Sequence, residues 1–287
     1  MVKIATHNGA FHADDVFAVA MLLIYLGKNA EVVRTRNPEI IDSCDLVVDV
    51  GGVNNAHAGR FDHHQRGGGG ERSNGVPYAS AGLVWKAVAM EVCDSLEVAE
   101  HIDKMVVQKI DAADCGYSAA GLDRTYSALV SDFNPCWNES NDPKAFDEAF
   151  GRAVEFAKTA LQNAIRQASN KEGAKESVLK LPVEDGLLIL DEYIPWQDAV
   201  LEMPDVKAVV FPDLTESWKV QVAPVKYGIF DSRIKLPAAW CGAQFEELEK
   251  ISGIPGAIFC HTALFIAGNK TRDGAIAMAR KAIATAQ

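Results

Sequence analysis

Five of the seven histidines fall within the first 64 residues, and most stand beside an aspartate or at the end of a β-prone run. The stretches concerned are His7-Asn8-Gly9-Ala10-Phe11-His12-Ala13-Asp14-Asp15, Asp49-Val50-Gly51-Gly52, Asp62-His63-His64 and Asp111-Ala112-Ala113-Asp114. Imidazole and carboxylate make a mixed nitrogen and oxygen donor set suited to manganese, zinc or iron, and the absence of cysteine among them disfavours a structural zinc knot. Two cations about 3.5–4 Å apart would polarise a phosphoryl oxygen and activate a bridging water near neutral pH, so hydrolysis would need no nucleophilic side chain. Asp49 suits a carboxylate shared by both ions, because the glycines behind it let the backbone approach closely.

Each element also has a plainer reading. His7 or His12 alone is more often an ordinary loop or core histidine, and Asp14 or Asp15 alone more often caps a helix. Neighbours on a helix point in different directions, so one of that acidic pair faces the ions while the other caps or supports it; Asp14 is preferred as the ligand. Three consecutive ionisable residues, Asp62 to His64, rarely fill a core.

The elements that must position these groups begin with β-prone segments at Val2 to Thr6, Glu31 to Thr35 and Leu46 to Val50. An apolar helical stretch from about Asp14 to Leu26 separates the first two and stops at Gly27. That order opens an α/β domain with a parallel sheet, in which ligands gather at the carboxyl ends of the strands, where His7 and Asp49 fall. After the loop Arg66-Gly67-Gly68-Gly69-Gly70-Glu71, helical periodicity returns over Ala79 to Val92 and Val98 to Ala113. Lys144 to about Lys180 reads as one long helix, or two joined near Gly173. Beyond it, Gly186 to Leu190, Lys207 to Phe211, Trp218 to Val225 and Ala257 to Cys260 alternate with turns before a final helix over Thr271 to Ala284. The expected division is 1–182, a catalytic metal-binding domain with its linking helix, and 183–287, a smaller α/β domain.

At 287 residues and 48% hydrophobic composition the chain has ample material for packed cores. Six scattered cysteines without CxxC spacing read as reduced thiols, and no apolar run reaches membrane-spanning length. A cytoplasmic protein is expected or, in a eukaryote, one of the nucleus or mitochondrion. The formal charge of −11 argues against a broad basic surface for nucleic acid, though divalent cations can reverse the sign inside a cleft.

Asp62-His63-His64, preceded by His7, an acidic pair and Asp49 and followed by Asp114, resembles the motif series of the DHH phosphoesterase superfamily. The wider text is similar to the melanocyte proliferating gene family nearly from end to end: Thr6-His7-Asn8-Gly9 with Phe11-His12, Arg34-Thr35-Arg36, Val48-Asp49-Val50-Gly51-Gly52, Asp62-His63-His64-Gln65-Arg66, Asn134-Pro135 with Trp137-Asn138, and Ile254-Pro255-Gly256 with Phe259 and His261. The resemblance implies a DHH-type domain, a second α/β domain and an active site in the cleft between them. It further implies a phosphodiesterase using two divalent cations, manganese foremost and magnesium as the alternative, with 3′-to-5′ exonuclease activity on RNA or short oligonucleotides.

By similarity, one ion would be held by His7, His12 or Asp14, and Asp49, and the other by Asp14, Asp49, His63 and Asp114. His63 and Asp49 would belong to the catalytic set with His64, which would contact the substrate phosphate or help protonate the leaving group. The assignment among His12, Asp14 and Asp15, and between Asp111 and Asp114, stays open, with Asp114 ranked first. Arg233, His261, Lys235 and Arg66 are the candidate substrate contacts. A homodimer is compatible with the sequence, and no obligate protein partner is expected. A small phosphate substrate such as pyrophosphate or a cyclic dinucleotide is the alternative within the same chemistry, and a non-catalytic metal-binding protein the alternative outside it.

Overall fold

The computed structural model describes residues 1–27, 29–119, 122–139, 142–226 and 231–286. Two compact units follow one another along the chain, Met1–Ser169 and Asn170–Gln287. Among the described residues no helix is long and apolar enough to cross a membrane.

The first unit opens with β1 (Val2–Thr6), α1 (Ala13–Leu26), β2 (Ala30–Arg34), α2 (Pro38–Asp42) and β3 (Leu46–Val48). The two-residue strands β4 (Asn54–Asn55) and β5 (Arg60–Phe61) complete a sheet of order β2-β1-β3-β5-β4. β2, β1, β3 and β5 run parallel, and β4 joins antiparallel at the edge. A parallel sheet must be covered by helices, and the sequence provides for this in α1, where every residue from Ala13 to Leu22 is buried. A helix with so little polar face is enclosed by its neighbours. It ends where Gly27 takes φ 67° and returns its N–H to the Leu23 carbonyl.

Against α1 pack α3 (Ser80–Val92), α5 (Gln108–Asp114) and α6 (Thr125–Ser131). The periodicity of Val98 to Ala113 predicts an unbroken helix, but the structure divides it into α4 (Leu96–Ile102), a π-helical turn at Asp103–Val107 and α5. The wider turn carries Asp103, whose carboxylate accepts from Arg72 Nε at 3.0 Å and from Nη2 at 2.7 Å. One extra residue in a turn leaves the apolar spacing almost unchanged, so periodicity does not reveal it. The long helix predicted over Lys144 to Lys180 is a single one, α7 (Pro143–Leu179).

The second unit takes the last part of α7 and continues through β6 (Val183–Glu184), β7 (Leu187–Ile189), α8 (Gln197–Leu201), β8 (Ala208–Pro212), β9 (Trp218–Val222), α9 (Phe245–Ser252), β10 (Ala257–Cys260), β11 (Ile266–Asn269) and α10 (Arg272–Thr285). Its sheet has the order β10-β11-β9-β8-β7-β6 and is antiparallel except between β7 and β8. The interior strand β11, Ile-Ala-Gly-Asn, gives no strand signal, since Gly and Asn are poor strand formers. Gly268 is needed there because a Cβ would lie 2.9 Å from the Phe259 ring on β10. The sequence thus shows a second α/β unit, while its mostly antiparallel order becomes visible only in three dimensions.

Candidate metal centre

Three parallel strands of the first sheet end on the residues of interest. β1 stops at Thr6, immediately before His7; β3 stops at Val48, before Asp49; β5 stops at Phe61, before Asp62-His63-His64. β2 ends the same way before Thr35 and Arg36. Ligands collect at such carboxyl edges because the loops diverge there. The two-residue strand β5, too short to notice in the sequence, delivers the Asp-His-His triplet beside Asp49.

His63 Nε2 lies 3.2 Å from Asp114 Oδ2, 3.4 Å from Asp49 Oδ1 and 3.7 Å from Asp14 Oδ2. The two oxygens of Asp49 look in different directions. Oδ1 is 3.4 Å from both His63 Nε2 and His64 Nδ1, while Oδ2 is 3.4 Å from His7 Nε2. His7 Nε2 is in turn 3.2 Å from Asp15 Oδ2. Asp49 therefore stands between two groups of donors, one around His63 and one around His7.

Each carboxylate is held by partners on its other side. Ala79, the residue preceding α3, has no capping oxygen, and the first amides of that helix turn elsewhere. Ser80 N and Ala81 N donate to Asp14 at 3.1 and 2.6 Å, and Gly82 N donates to Asp111 Oδ1 at 2.9 Å. Gly82 permits this approach, since a Cβ there would lie 2.0 Å from Asp111 Oδ2. Ser80 Oγ donates to Asp49 Oδ1 at 3.1 Å. Asp49 itself adopts φ 55°, a left-handed conformation that Asp tolerates better than most side chains. Gly52 also has positive φ, 68°, and its N–H donates to Asp62 Oδ2 at 2.6 Å, tying the loop after β3 to the triplet after β5. Asp62 Oδ1 lies 2.8 Å from His64 Nδ1 and accepts from His64 N at 3.0 Å, which fixes a ring otherwise 61% exposed.

The loop from His7 to His12 is pinned from outside. Arg34 Nη2 donates to the Gly9 carbonyl at 2.7 Å while Nη1 pairs with Asp147 at 2.9 Å. The Asn134 amide brackets Phe11, with Oδ1 accepting from its N–H at 3.1 Å and Nδ2 donating to its carbonyl at 2.9 Å.

So many buried carboxyl groups repel one another. Burial, reinforced by the charges of Asp49, Asp114 and Asp111, pushes Asp14 well above the usual carboxylate range. Burial likewise raises Asp15 to about 7, despite His7 and the His12 amide. Burial would raise Asp49 too, but His63 and His7 outweigh it and hold that carboxyl low. Burial disfavours charge on His63 and His7, yet neighbouring carboxylates prevail and raise both imidazoles, Asp114 and Asp49 acting on His63, Asp49 and Asp15 on His7.

These donors fit divalent cations. Asp49, His63 and His64 form one group, and Asp14, His63 and Asp114 another, with donor atoms within 4.8 Å of each other in each. A cation about 2.0–2.2 Å from each donor spaces adjacent donors by roughly 3 Å. His63 Nε2 and Asp15 Oδ2 are buried without a hydrogen-bond partner among the described residues, as ligand atoms would be. The cluster opens on a cavity of ≈ 620 Å³ lined by His7, Asp49, Asp62, His64 and Asp114 among others.

A model of the family called MYG1 exonuclease, described as an uncharacterised protein family (UPF0160), matches residues 3–283. The chain belongs to the MYG1 family. A MYG1 protein of Schizosaccharomyces pombe is 34% identical over 319 residues, covering 99% of this chain and 98% of the relative. The human protein named MYG1 exonuclease is 34% identical over 325 residues, covering 98% of this chain and 86% of its own length. A MYG1 protein of Caenorhabditis elegans is also 34% identical, over 323 residues. This is the melanocyte proliferating gene family that the motifs resemble.

Within this MYG1-family chain, the structure brings together His7, Asp14, Asp49, His63, His64 and Asp114. His12 stands at the rim of the same cavity: it precedes α1, is exposed, and keeps its ring centroid 6.0 Å from that of His7. Asp15 stands nearer to His7, and also accepts from His12 N at 2.8 Å, so one residue both caps the helix and faces the cluster. The expectation that only one of the acidic pair turns inward is corrected here, because α1 is enclosed and both Asp14 and Asp15 are buried. Of Asp111 and Asp114, Asp111 is committed to Arg72 at 2.7 Å and to Gly82, whereas Asp114 reaches His63. Arg66 is exposed two residues beyond His64.

The remaining candidates lie in the second unit. Arg233 is a bracket inside that unit, donating to the carbonyls of Met203 and Val206 through Nη1 and to that of Val200 through Nη2. Both Nη atoms of its guanidinium are thereby engaged by main-chain carbonyls of the same unit. His261 is exposed, with Nδ1 accepting from Ala263 N at 3.0 Å, and Lys235 is exposed. Asp62, Ser80, Arg34 and Asn134 are supporting residues to which the sequence alone assigns no role, whereas Asp15 takes the capping role open to one of the acidic pair. Asp62, Arg34 and Asn134 do lie within the quoted motifs, which was their available signal.

Proposed function

We propose that the chain is a divalent-metal-dependent phosphodiesterase acting as a 3′-to-5′ exonuclease on RNA or short oligonucleotides, with manganese the foremost metal and magnesium the alternative. The observation that carries the reading is Asp49, whose two oxygens face separate donor groups, His63 with Asp14 and Asp114 on one side, His7 with Asp15 on the other. The name exonuclease borne by mammalian relatives supports the same reading.

In this reading His7 and Asp49, with His12 or Asp15 beside them, would hold one cation, and Asp14, Asp49, His63 and Asp114 the other. Bound there, divalent cations supply the positive charge that stabilises developing charge on phosphoryl oxygens. The protein's own work is positional. α3 amides fix Asp14, Ser80 fixes Asp49, and Asp62 fixes His64 through Nδ1, leaving His64 Nε2 to meet the substrate phosphate or the leaving oxygen. Arg34 and Asn134 hold the His7 loop in register with the rest.

A second reading, hydrolysis of a small phosphate compound, is favoured by one observation: among the described residues lining the cavity, Phe11 is the single Phe, Tyr or Trp. Sequence-tolerant binding of single strands usually relies on more stacking surfaces. Incubating the manganese-loaded protein with 5′-labelled RNA decamers, pyrophosphate and a cyclic dinucleotide, with products read by mass spectrometry, separates these readings. Stepwise release of mononucleotides from the 3′ end is the expected result. Turnover of pyrophosphate or the cyclic dinucleotide alone would transfer the chemistry to the small substrate. No cleavage of any of them, with metal content confirmed, would remove the hydrolase reading.

A further inference from the structure

We infer that Arg36 anchors a second phosphate of the substrate, distinct from the one cleaved at the histidine and aspartate cluster; this rests on the phosphodiesterase reading above. Its backbone is fixed on both sides. Thr35 N donates to the Thr6 carbonyl at 2.7 Å, carrying the β1/β2 ladder one residue further, and the buried Thr35 accepts from Asn37 N through Oγ1 at 3.0 Å. Asn37 Oδ1 then accepts from Glu39 N at 2.9 Å at the start of α2.

The Arg36 side chain, by contrast, is uncommitted. It is exposed, lines the same cavity as the cluster, and among the described residues makes no hydrogen bond or ion pair. Several other cations of this unit are engaged, Arg34 with Asp147 and Gly9, Arg60 with the carbonyls of Cys44 and Asp45, Arg72 with Asp103 and Asp111, Lys109 with Asp123, and among the described residues lining the cavity Arg36 is the one lysine or arginine. Ser127 and Ser131, one helical turn apart on α6, line the cavity as well and offer hydroxyl donors. An arginine fork matches phosphate oxygens in pairs, and one left unpaired in a cavity that also holds Asp49, Asp62 and Asp114 is available to an anion from outside.

The sheet order says which phosphate. Neighbouring strands lie about 4.8 Å apart, so β2, which delivers Arg36, is roughly 5 Å from β1 with His7, roughly 10 Å from β3 with the shared Asp49, and roughly 14 Å from β5 with His63. Set two strands from the shared Asp49, Arg36 is placed to meet a phosphate next along the chain from one held beside that residue. The ligand chemistry that fits is a chain with phosphates in succession, such as a 5′-phosphorylated oligonucleotide; a substrate with a lone phosphodiester would leave Arg36 unused.

The test uses the full-length, manganese-loaded protein and dithymidine joined by a phosphorothioate, with and without a 5′-phosphate, titrated by calorimetry. The 5′-phosphate is expected to tighten binding to the parent protein about tenfold, the scale of one charge-assisted contact. Arg36→Ala should erase that gain and Arg36→Lys keep part of it, with manganese content and thermal midpoint unchanged in both. An undiminished gain in Arg36→Ala, or no gain in the parent, would overturn the inference. Turnover of the corresponding phosphodiester dinucleotides is read alongside. If the parent shows the affinity gain but cleaves neither these dinucleotides nor the RNA decamers, the exonuclease reading fails while the phosphate anchor stands.

Discussion

Replacing Asp49 with asparagine is expected to lower metal-dependent phosphodiester hydrolysis by about a thousandfold or more, leaving the fold intact. Asparagine keeps the shape, tolerates the left-handed φ of 55°, and can still accept from Ser80 Oγ. What it removes is the charge that faces His7 through one oxygen and His63 through the other. A residue held in common by both donor groups affects both ions when neutralised. Metal contributions to hydrolysis run to several kcal/mol, and each 1.36 kcal/mol is a factor of ten in rate. Steady-state rates with saturating manganese, together with metal content by elemental analysis, check the effect. Full activity in Asp49→Asn would separate the cluster from the chemistry. The same loss accompanied by a collapsed circular dichroism spectrum would make Asp49 a folding residue instead.

The second large effect lies in stability. The chelated protein is expected to lose thermal stability as pH rises from 5.5 to 8, and divalent cation to restore it increasingly over the same range. The sign follows from the direction of four shifts. Asp15, raised to about 7, and Asp14, raised well above its usual range, retain protons in the folded chain that the unfolded chain has released above about pH 4. His7 and His63, also raised, retain protons that the unfolded chain releases near about pH 6.5. The folded state thus binds more protons than the unfolded one across the window, so stability falls as pH climbs through it. Asp49, held low, contributes in the opposite sense only at more acid pH. A cation must displace those protons, so it binds tighter at pH 8. At a hundredfold excess over its dissociation constant a ligand adds about 2.7 kcal/mol, which for a unit of this size is roughly 5–10 °C in midpoint. Calorimetric scans in chelator and in manganese at pH 5.5, 7 and 8 read the trend. A metal increment that shrinks with rising pH would mean that the ions bind elsewhere.

How much of this was legible in the sequence depended on whether the signal was chemical or geometric. The helix α1, its stop at Gly27 and the strands β1 and β3 follow from apolar patterning and one glycine, because burial dictates residue type over many positions. The Asp-His-His triplet is visible because such residues have no place in a core without a purpose. The strand that carries it, β5, is two residues long and exists because β3 and β4 flank it, which no local pattern records. Asp14 and Asp15 illustrate the limit most clearly. Spacing on a helix argues that one faces the ions, but α1 is enclosed, so Asp14 turns to the amides of α3 and Asp15 turns to His7. Arg233 shows a second limit: a basic residue on a loop invites a substrate role, and nothing in its neighbourhood in sequence announces the three backbone carbonyls around it. Whether a charged side chain is committed or available is a property of its partners, and these lie about 30 residues away in sequence.

Imidazoles and carboxylates from the ends of β1, β3 and β5, together with Asp14, Asp15 and Asp114, are expected to accept paired cations. Anomalous diffraction at the manganese edge, from crystals of the full-length protein grown with manganese, addresses this directly. Two peaks are expected, both touching Asp49, one nearest His7 and Asp15 and the other nearest His63, Asp14 and Asp114. Saturating manganese with no peak at Asp49, or a peak only on the protein surface, would contradict it.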